Sequence, residues 1–127
     1  MPKARISSYR IHYNLVGDSA VLRPEGPCDE RRTEALARLA NTSLLSAKHV
    51  ILDLSRAPYV ESPGFRWIVR QVRSLEATGR TLIVVGLSPS VERTFRLLRL
   101  DRIVRVAGDV TEALRLVEQP HESLALA

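Results

Sequence analysis

The chain has 127 residues, 45% apolar and 26% charged, which is the balance of one folded domain and excludes a disordered protein. The 19 lysines and arginines outweigh 14 aspartates and glutamates, giving a formal charge of +5, yet only 5% of residues are aromatic. The arginines are scattered among acids, as in Glu30-Arg31-Arg32-Thr33-Glu34, so a solvated surface is expected rather than a nucleic-acid-binding stripe.

Tyr9, Ile11, Tyr13 and Leu15 alternate with Arg10, His12 and Asn14, the period of a half-buried strand. Val16-Gly17-Asp18 reads as a turn, and Ser19 to Arg23 as the second strand of a hairpin. Pro24 to Asp29 is a loop by composition. From about Glu30, Leu36, Leu39, Ala40 and Leu44 follow helical spacing, and Glu34 stands four residues ahead of Arg38 in the favourable order. His49 to Leu54 is the short apolar run of a buried central strand. Ser62-Pro63 opens the next helix, with serine as the cap and proline at the first helical position. Phe65, Ile68, Val69, Val72 and Leu75 form its core stripe, and Gly79 ends it.

Thr81 to Val85 is a further buried strand, followed by a helix from about Ser88 that turns Val91, Phe95 and Leu98 inward. Ile103 to Val106 is a last, short strand. Asp109-Val110-Thr111-Glu112 resembles a capping box, and Val110, Leu114 and Val117 make the final helix's apolar face up to Pro120. The expected fold is therefore α/β, with a mixed sheet of about five strands and four helices. The crossovers between helix-linked strands imply a largely parallel sheet. One domain over residues 9–118 is expected, with residues 1–8 and 119–127 as flexible termini.

The chemical inventory is sparse. There is no glycine-rich phosphate loop and no Gly-x-Ser-x-Gly elbow. His12, His49 and His121 share no ligand spacing with one another or with Cys28, so neither a metal nor a cofactor is expected, nor an enzyme. Cys28 cannot form an internal disulfide and reads as a small apolar filler, in keeping with a reducing compartment. The longest apolar run, Leu82 to Val85, is far short of the about 20 residues that span a bilayer. The basic start Met1-Pro2-Lys3-Ala4-Arg5 is followed by no signal-peptide stretch. A bacterial cytoplasmic protein without membrane insertion is expected.

The informative segment runs from Asp53 to Phe65, out of a buried strand, across a loop and into a helix start. Ligands and partners of an open parallel sheet gather at the carboxyl ends of its strands, where Ser62 falls. A hydroxyl at the positive end of a helix dipole, beside free backbone N–H groups, suits a phosphate, which adds about −1.5 to −2 charges. Ser62 as a plain helix cap is the alternative.

Val50-Ile51-Leu52-Asp53-Leu54-Ser55, then Val60-Glu61-Ser62-Pro63-Gly64-Phe65, Gly79-Arg80-Thr81-Leu82 and Gly86-Leu87-Ser88-Pro89-Ser90-Val91 resemble, in that order, the STAS domain of bacterial anti-sigma factor antagonists. Gly26-Pro27-Cys28-Asp29, Leu100-Asp101-Arg102-Ile103-Val104 and Glu112-Ala113-Leu114 extend the resemblance over residues 9 to 118. It implies that Ser62 is the phospho-acceptor of an anti-sigma factor with serine kinase activity. The unphosphorylated form would bind that factor, and a serine phosphatase would reset the switch. Asp29 would be an acidic loop residue near Ser62, and Gly64 would allow close backbone approach. Glu61 stands where the family pattern has aspartate, and Pro63 removes one N–H from the helix start. The alternative is an unmodified STAS adaptor subunit of a lipid-transport ABC complex or a stressosome-like scaffold. A small-molecule sensor at the strand ends is a third reading.

On a helical wheel Trp67 falls away from Phe65, Ile68, Val69 and Val72 and beside Arg66, Arg70 and Ser74. This is the composition of a partner-binding surface, expected to comprise Asp29, Glu61, Gly64, Trp67 and Arg70. The competing reading places Trp67 over a core edge or against Arg70.

Overall fold

The computed structural model describes residues 3–6, 9–42 and 47–118. Six strands form one sheet in chain order: β1 (Lys3–Ile6), β2 (Tyr9–Val16), β3 (Ser19–Pro24), β4 (His49–Asp53), β5 (Thr81–Val85) and β6 (Arg105–Ala107). β1, β2 and β3 pair antiparallel, and β3 through β6 pair parallel. The helices are α1 (Glu30–Thr42), α2 (Ser62–Glu76), α3 (Pro89–Leu97) and α4 (Val110–Glu118), with a short 3-10 turn at Leu100–Arg102. Every expected strand and helix is present in the expected order, although the last strand starts at Arg105 rather than Ile103, because Ile103 and Val104 belong to the turn that follows the 3-10 segment. The sheet gains one strand at its edge, because Lys3–Ile6 pairs with Tyr9–His12 instead of forming part of a loose terminus. Leu44 and the tail 119–127 lie outside the described residues.

Alternation along the central strands divides the core in two. Ala20, Leu22, Val50, Leu52, Leu82 and Val84 face one side, where α1, α2 and α3 pack with Leu36, Ile68, Val72 and Phe95. Val21, Ile51, Ile83 and Val85 face the other side and are covered by α4 through Ala113, Val110, Leu114 and Val117. Strands buried on both faces have to be apolar throughout, which is why β4 and β5 read as unbroken hydrophobic runs. On β2 the alternation fails at the hairpin tip. Ile11 is fully buried, but Leu15 is 59% exposed, beyond the reach of either helical layer.

Two details of α2 differ from the sequence reading. Its cap is Glu61, in extended backbone and with no side-chain cap bond, so Ser62 and Pro63 lie inside the first turn. Its buried face consists of Gly64, Trp67, Ile68, Val72 and Leu75, while Phe65 and Val69 are half-buried. Trp67 retains only 3% of its surface, so it is not an exposed contact residue. The reason is the neighbouring helix. α1 lies beside α2 on the same face of the sheet and buries the flank that carries Trp67, while α3 buries the opposite flank, where Phe65 meets Phe95 edge to face at 5.7 Å.

Candidate functional site at the carboxyl end of the sheet

Three loops leave the carboxyl ends of β3, β4 and β5; the first two are joined by backbone hydrogen bonds and the third by the Ser88 side chain. The loop after β4 starts with Leu54 N–H donating to Val85 O at 2.9 Å, and Asp53 Oδ1 accepts from Ser55 N–H at 2.9 Å. The loop after β3 runs alongside it. Gly26 N–H donates to Arg56 O, Cys28 N–H to Tyr59 O and Glu61 N–H to Cys28 O, each at 3.0 Å. Cys28 and Val60 thus form a parallel bridge just ahead of α2. Ser88, the cap of α3, accepts from Val91 N–H at 3.3 Å and reaches Pro58 O at 3.4 Å.

Two glycines make these approaches possible. A Cβ on Gly64 would lie 2.7 Å from Val60 Cγ1 and 3.2 Å from Cys28 O, so the first turn of α2 sits directly on the bridge. Gly64 is buried there, and its role is to let the helix approach rather than to meet a partner. Gly86 has φ +71° and a Cβ on it would lie 2.9 Å from both Asp53 Oδ1 and Ser55 N.

On this platform Ser62 is exposed, and its hydroxyl has no hydrogen bond among the described residues. Glu61 beside it is exposed as well, as are Arg66 and Arg70 further along the helix. The amides next to Ser62 are largely engaged. Gly64 N–H and Phe65 N–H both donate to Glu61 O, at 2.8 and 3.2 Å, and Pro63 has no N–H to offer. The expected cluster of free amides is therefore reduced to the N–H of Ser62 itself, and an anion there would rely on the helix dipole and on side-chain cations.

Asp29 lies just beyond the Cys28–Val60 bridge and is committed to capping α1. Its Oδ1 accepts from Arg32 N–H at 2.9 Å, and its Oδ2 lies 3.4 Å from the Arg32 guanidinium. Roughly a third of its side chain stays in contact with solvent, at 31%. Cys28 is buried under the bridge, which pushes its thiol up from the ordinary 9.0 to about 12, with the Asp29 charge adding to the effect and Arg32 opposing it. It is a packing residue, as the sequence implied. The structure brings Asp29, Glu61, Ser62 and Arg70 to one end and one flank of the fold. It withdraws Gly64 and Trp67 into the interior.

Sequence reasoning overlooked a groove further along α2, between that helix and the end of α3, lined by Phe65, Val69, Leu98 and Leu100, with Arg66, one turn beyond Ser62, at its rim. The sequence turned Leu98 inward with Val91 and Phe95, but α3 ends at Leu97 and leaves Leu98 facing out. Leu97 and Leu98 are in fact 76% and 55% exposed.

The STAS domain family pattern matches residues 10–113, and the chain belongs to that family. A candidate anti-sigma factor antagonist of Thermotoga maritima is 25% identical over 109 residues, spanning 84% of this chain and 96% of the relative. A crystal structure of a candidate anti-sigma factor antagonist from that organism aligns with a TM-score of 0.77 at 24% identity, over 85% of this chain and 94% of the other. The Bacillus cell fate determinant SpoIIAA in its phosphorylated form aligns with a TM-score of 0.67 at 22% identity, over 84% of this chain and 98% of the other. The two structural likenesses establish a shared architecture.

Proposed function

We propose that this protein is an anti-sigma factor antagonist. With Ser62 unmodified it binds an anti-sigma factor that has serine kinase activity; phosphorylation of Ser62 by that partner ends the binding, and a serine phosphatase restores it. The observation that carries this reading is the exposed, unpartnered hydroxyl of Ser62 in the first turn of α2. It is held on a platform whose three loops are cross-linked by hydrogen bonds. A rigid mount favours a contact surface that can be switched by one added group, since the phosphate cannot be accommodated by loop movement. Glu61, Asp29 and Arg70 are the solvent-accessible neighbours that a docking partner would meet. The Thermotoga relative, a candidate anti-sigma factor antagonist, supports the general role.

The test is to incubate the protein with its cognate anti-sigma kinase and ATP, map the phosphate by mass spectrometry, and compare Ser62→Ala with Ser62→Asp in a binding assay. Phosphate is expected on Ser62 alone. Ser62→Ala should bind like the parent, and Ser62→Asp should bind at least about tenfold more weakly, a difference of about 1.4 kcal/mol. Equal binding by the two variants would reject the switch in favour of an unmodified STAS adaptor.

A further inference from the structure

We infer that the groove between α2 and the α3 end receives an acidic amphipathic helix of a partner protein, with apolar side chains in the groove and carboxylates on Arg66 and Arg70. The groove has a volume of about 310 Å³ and is walled by Phe65 and Val69 on one side and Leu98 and Leu100 on the other. Phe65 and Val69 are one helical turn apart, about 6 Å along α2. That spacing matches apolar side chains at i and i+4 on a docked helix. The groove is open, and Leu98 presents 55% of its surface to solvent at its edge.

The choice of an acidic partner rests on charge. Arg66 and Arg70 stand on the groove's rim, are exposed, and form no ion pair among the described residues. Glu30 and Glu34 line the opposite flank of these arginines, toward α1, without forming ion pairs with them among the described residues. The chain as a whole carries +5, so a negatively charged segment is also drawn in at long range. Exposed arginines over an apolar floor combine a long aliphatic stem with a fork that grips carboxylates in pairs.

The groove's rim begins one turn of α2 beyond Ser62, at Arg66. At about 100° per residue, Ser62 falls between Val69 and Arg66 on the face of α2, and Arg66 is four residues beyond it. The inference rests on the function proposed above for one point only, the effect of a phosphate. About two negative charges on Ser62 would occupy Arg66 and repel an incoming carboxylate, so modification would close the groove electrostatically without moving the backbone.

The test uses the full chain, labelled with 15N, and two synthetic helical peptides sharing one pair of leucines at i and i+4. One carries glutamates on its flanks and the other lysines. The glutamate peptide should bind saturably, shift the amide signals of residues 65–70 and 97–100, and bind at least about tenfold more tightly than the lysine peptide. Leu98→Ser, at an exposed position, should abolish binding with an unchanged thermal midpoint. The double variant Arg66→Glu, Arg70→Glu should reverse the preference. Equal affinity for both peptides, binding by neither, or shifts located elsewhere would overturn the inference. The two readings fail separately. If the glutamate peptide binds while the kinase leaves Ser62 unmodified, the groove stands and the switch falls. If the kinase modifies Ser62 and Ser62→Asp releases it, while neither peptide binds, the switch stands and the groove falls.

Discussion

Replacing Trp67 separates a contact residue from a core residue. Its side chain is 3% exposed in the seam between α1 and α2, and its indole Nε1 has no hydrogen-bond partner among the described residues. Truncation to alanine deletes a buried bicyclic ring from a seam that cannot collapse fully, at a cost of about 3–5 kcal/mol. For a domain of this size that lowers the thermal midpoint by roughly 10–20 °C. It also removes a large share of a total stability that is about 5–15 kcal/mol. Trp67→Phe behaves differently. It loses some packed carbon, worth about 1 kcal/mol, but also removes a buried N–H whose unmet hydrogen bond costs about 1–3 kcal/mol. The net change is expected to run from neutral to about 2 kcal/mol stabilising. Far-UV circular dichroism through thermal and urea unfolding is the suitable assay, because Trp67 is the chain's only tryptophan and its fluorescence disappears with it. An alanine variant melting within about 2 °C of the parent would refute the burial argument, since only surface substitutions are that mild. A phenylalanine variant as damaged as the alanine one would show that the indole N–H is satisfied after all.

Gly86→Ala should destabilise by about 2 kcal/mol or more, because φ is +71° and the new methyl would lie 2.9 Å from Asp53 Oδ1; an unchanged urea midpoint would show that the loop relaxes freely. Arg99 has φ 58° just after α3, a conformation glycine adopts without strain. Arg99→Gly should therefore raise stability by up to about 1 kcal/mol, and a lowered midpoint would mean that the arginine side chain contributes more than its backbone costs. Cys28 has its thiol raised from 9.0 to about 12, so between those values the unfolded chain binds fewer protons than the native one. Stability should therefore fall as pH rises above about 9, by at most about 1.4 kcal/mol per unit, and Cys28→Ala should flatten that slope in urea titrations at several pH values. The native thiol should likewise resist thiol reagents at pH 8, whereas rapid modification would place it at the surface.

Local patterns carried the element order. Period-two alternation set β2, unbroken apolar runs set β4 and β5, the serine-proline start marked α2 to within a residue, and helical spacing placed α3 from about Ser88. These signals act over a few residues, so they survive without any knowledge of the fold. The position of Ser62 at a strand-to-helix passage was legible for the same reason. The pairing of Lys3–Ile6 was not, since an edge strand takes its partner from another strand rather than from its own periodicity. A helical wheel resolves one buried face, the one turned to the sheet. It cannot register that α1 and α3 flank α2, and those neighbours are what bury Trp67, half-bury Phe65 and Val69, and leave a groove below Leu98. The amides near Ser62 were misread for a local reason. Their partner is the carbonyl of Glu61, which accepts the first bonds of α2 because the cap falls at Glu61, one residue ahead of Ser62. Short-range order along the chain thus determined which elements form and where the hydroxyl sits. The packing of distant segments decided which side chains around it meet solvent, because burial depends on neighbours in space that sequence spacing does not name.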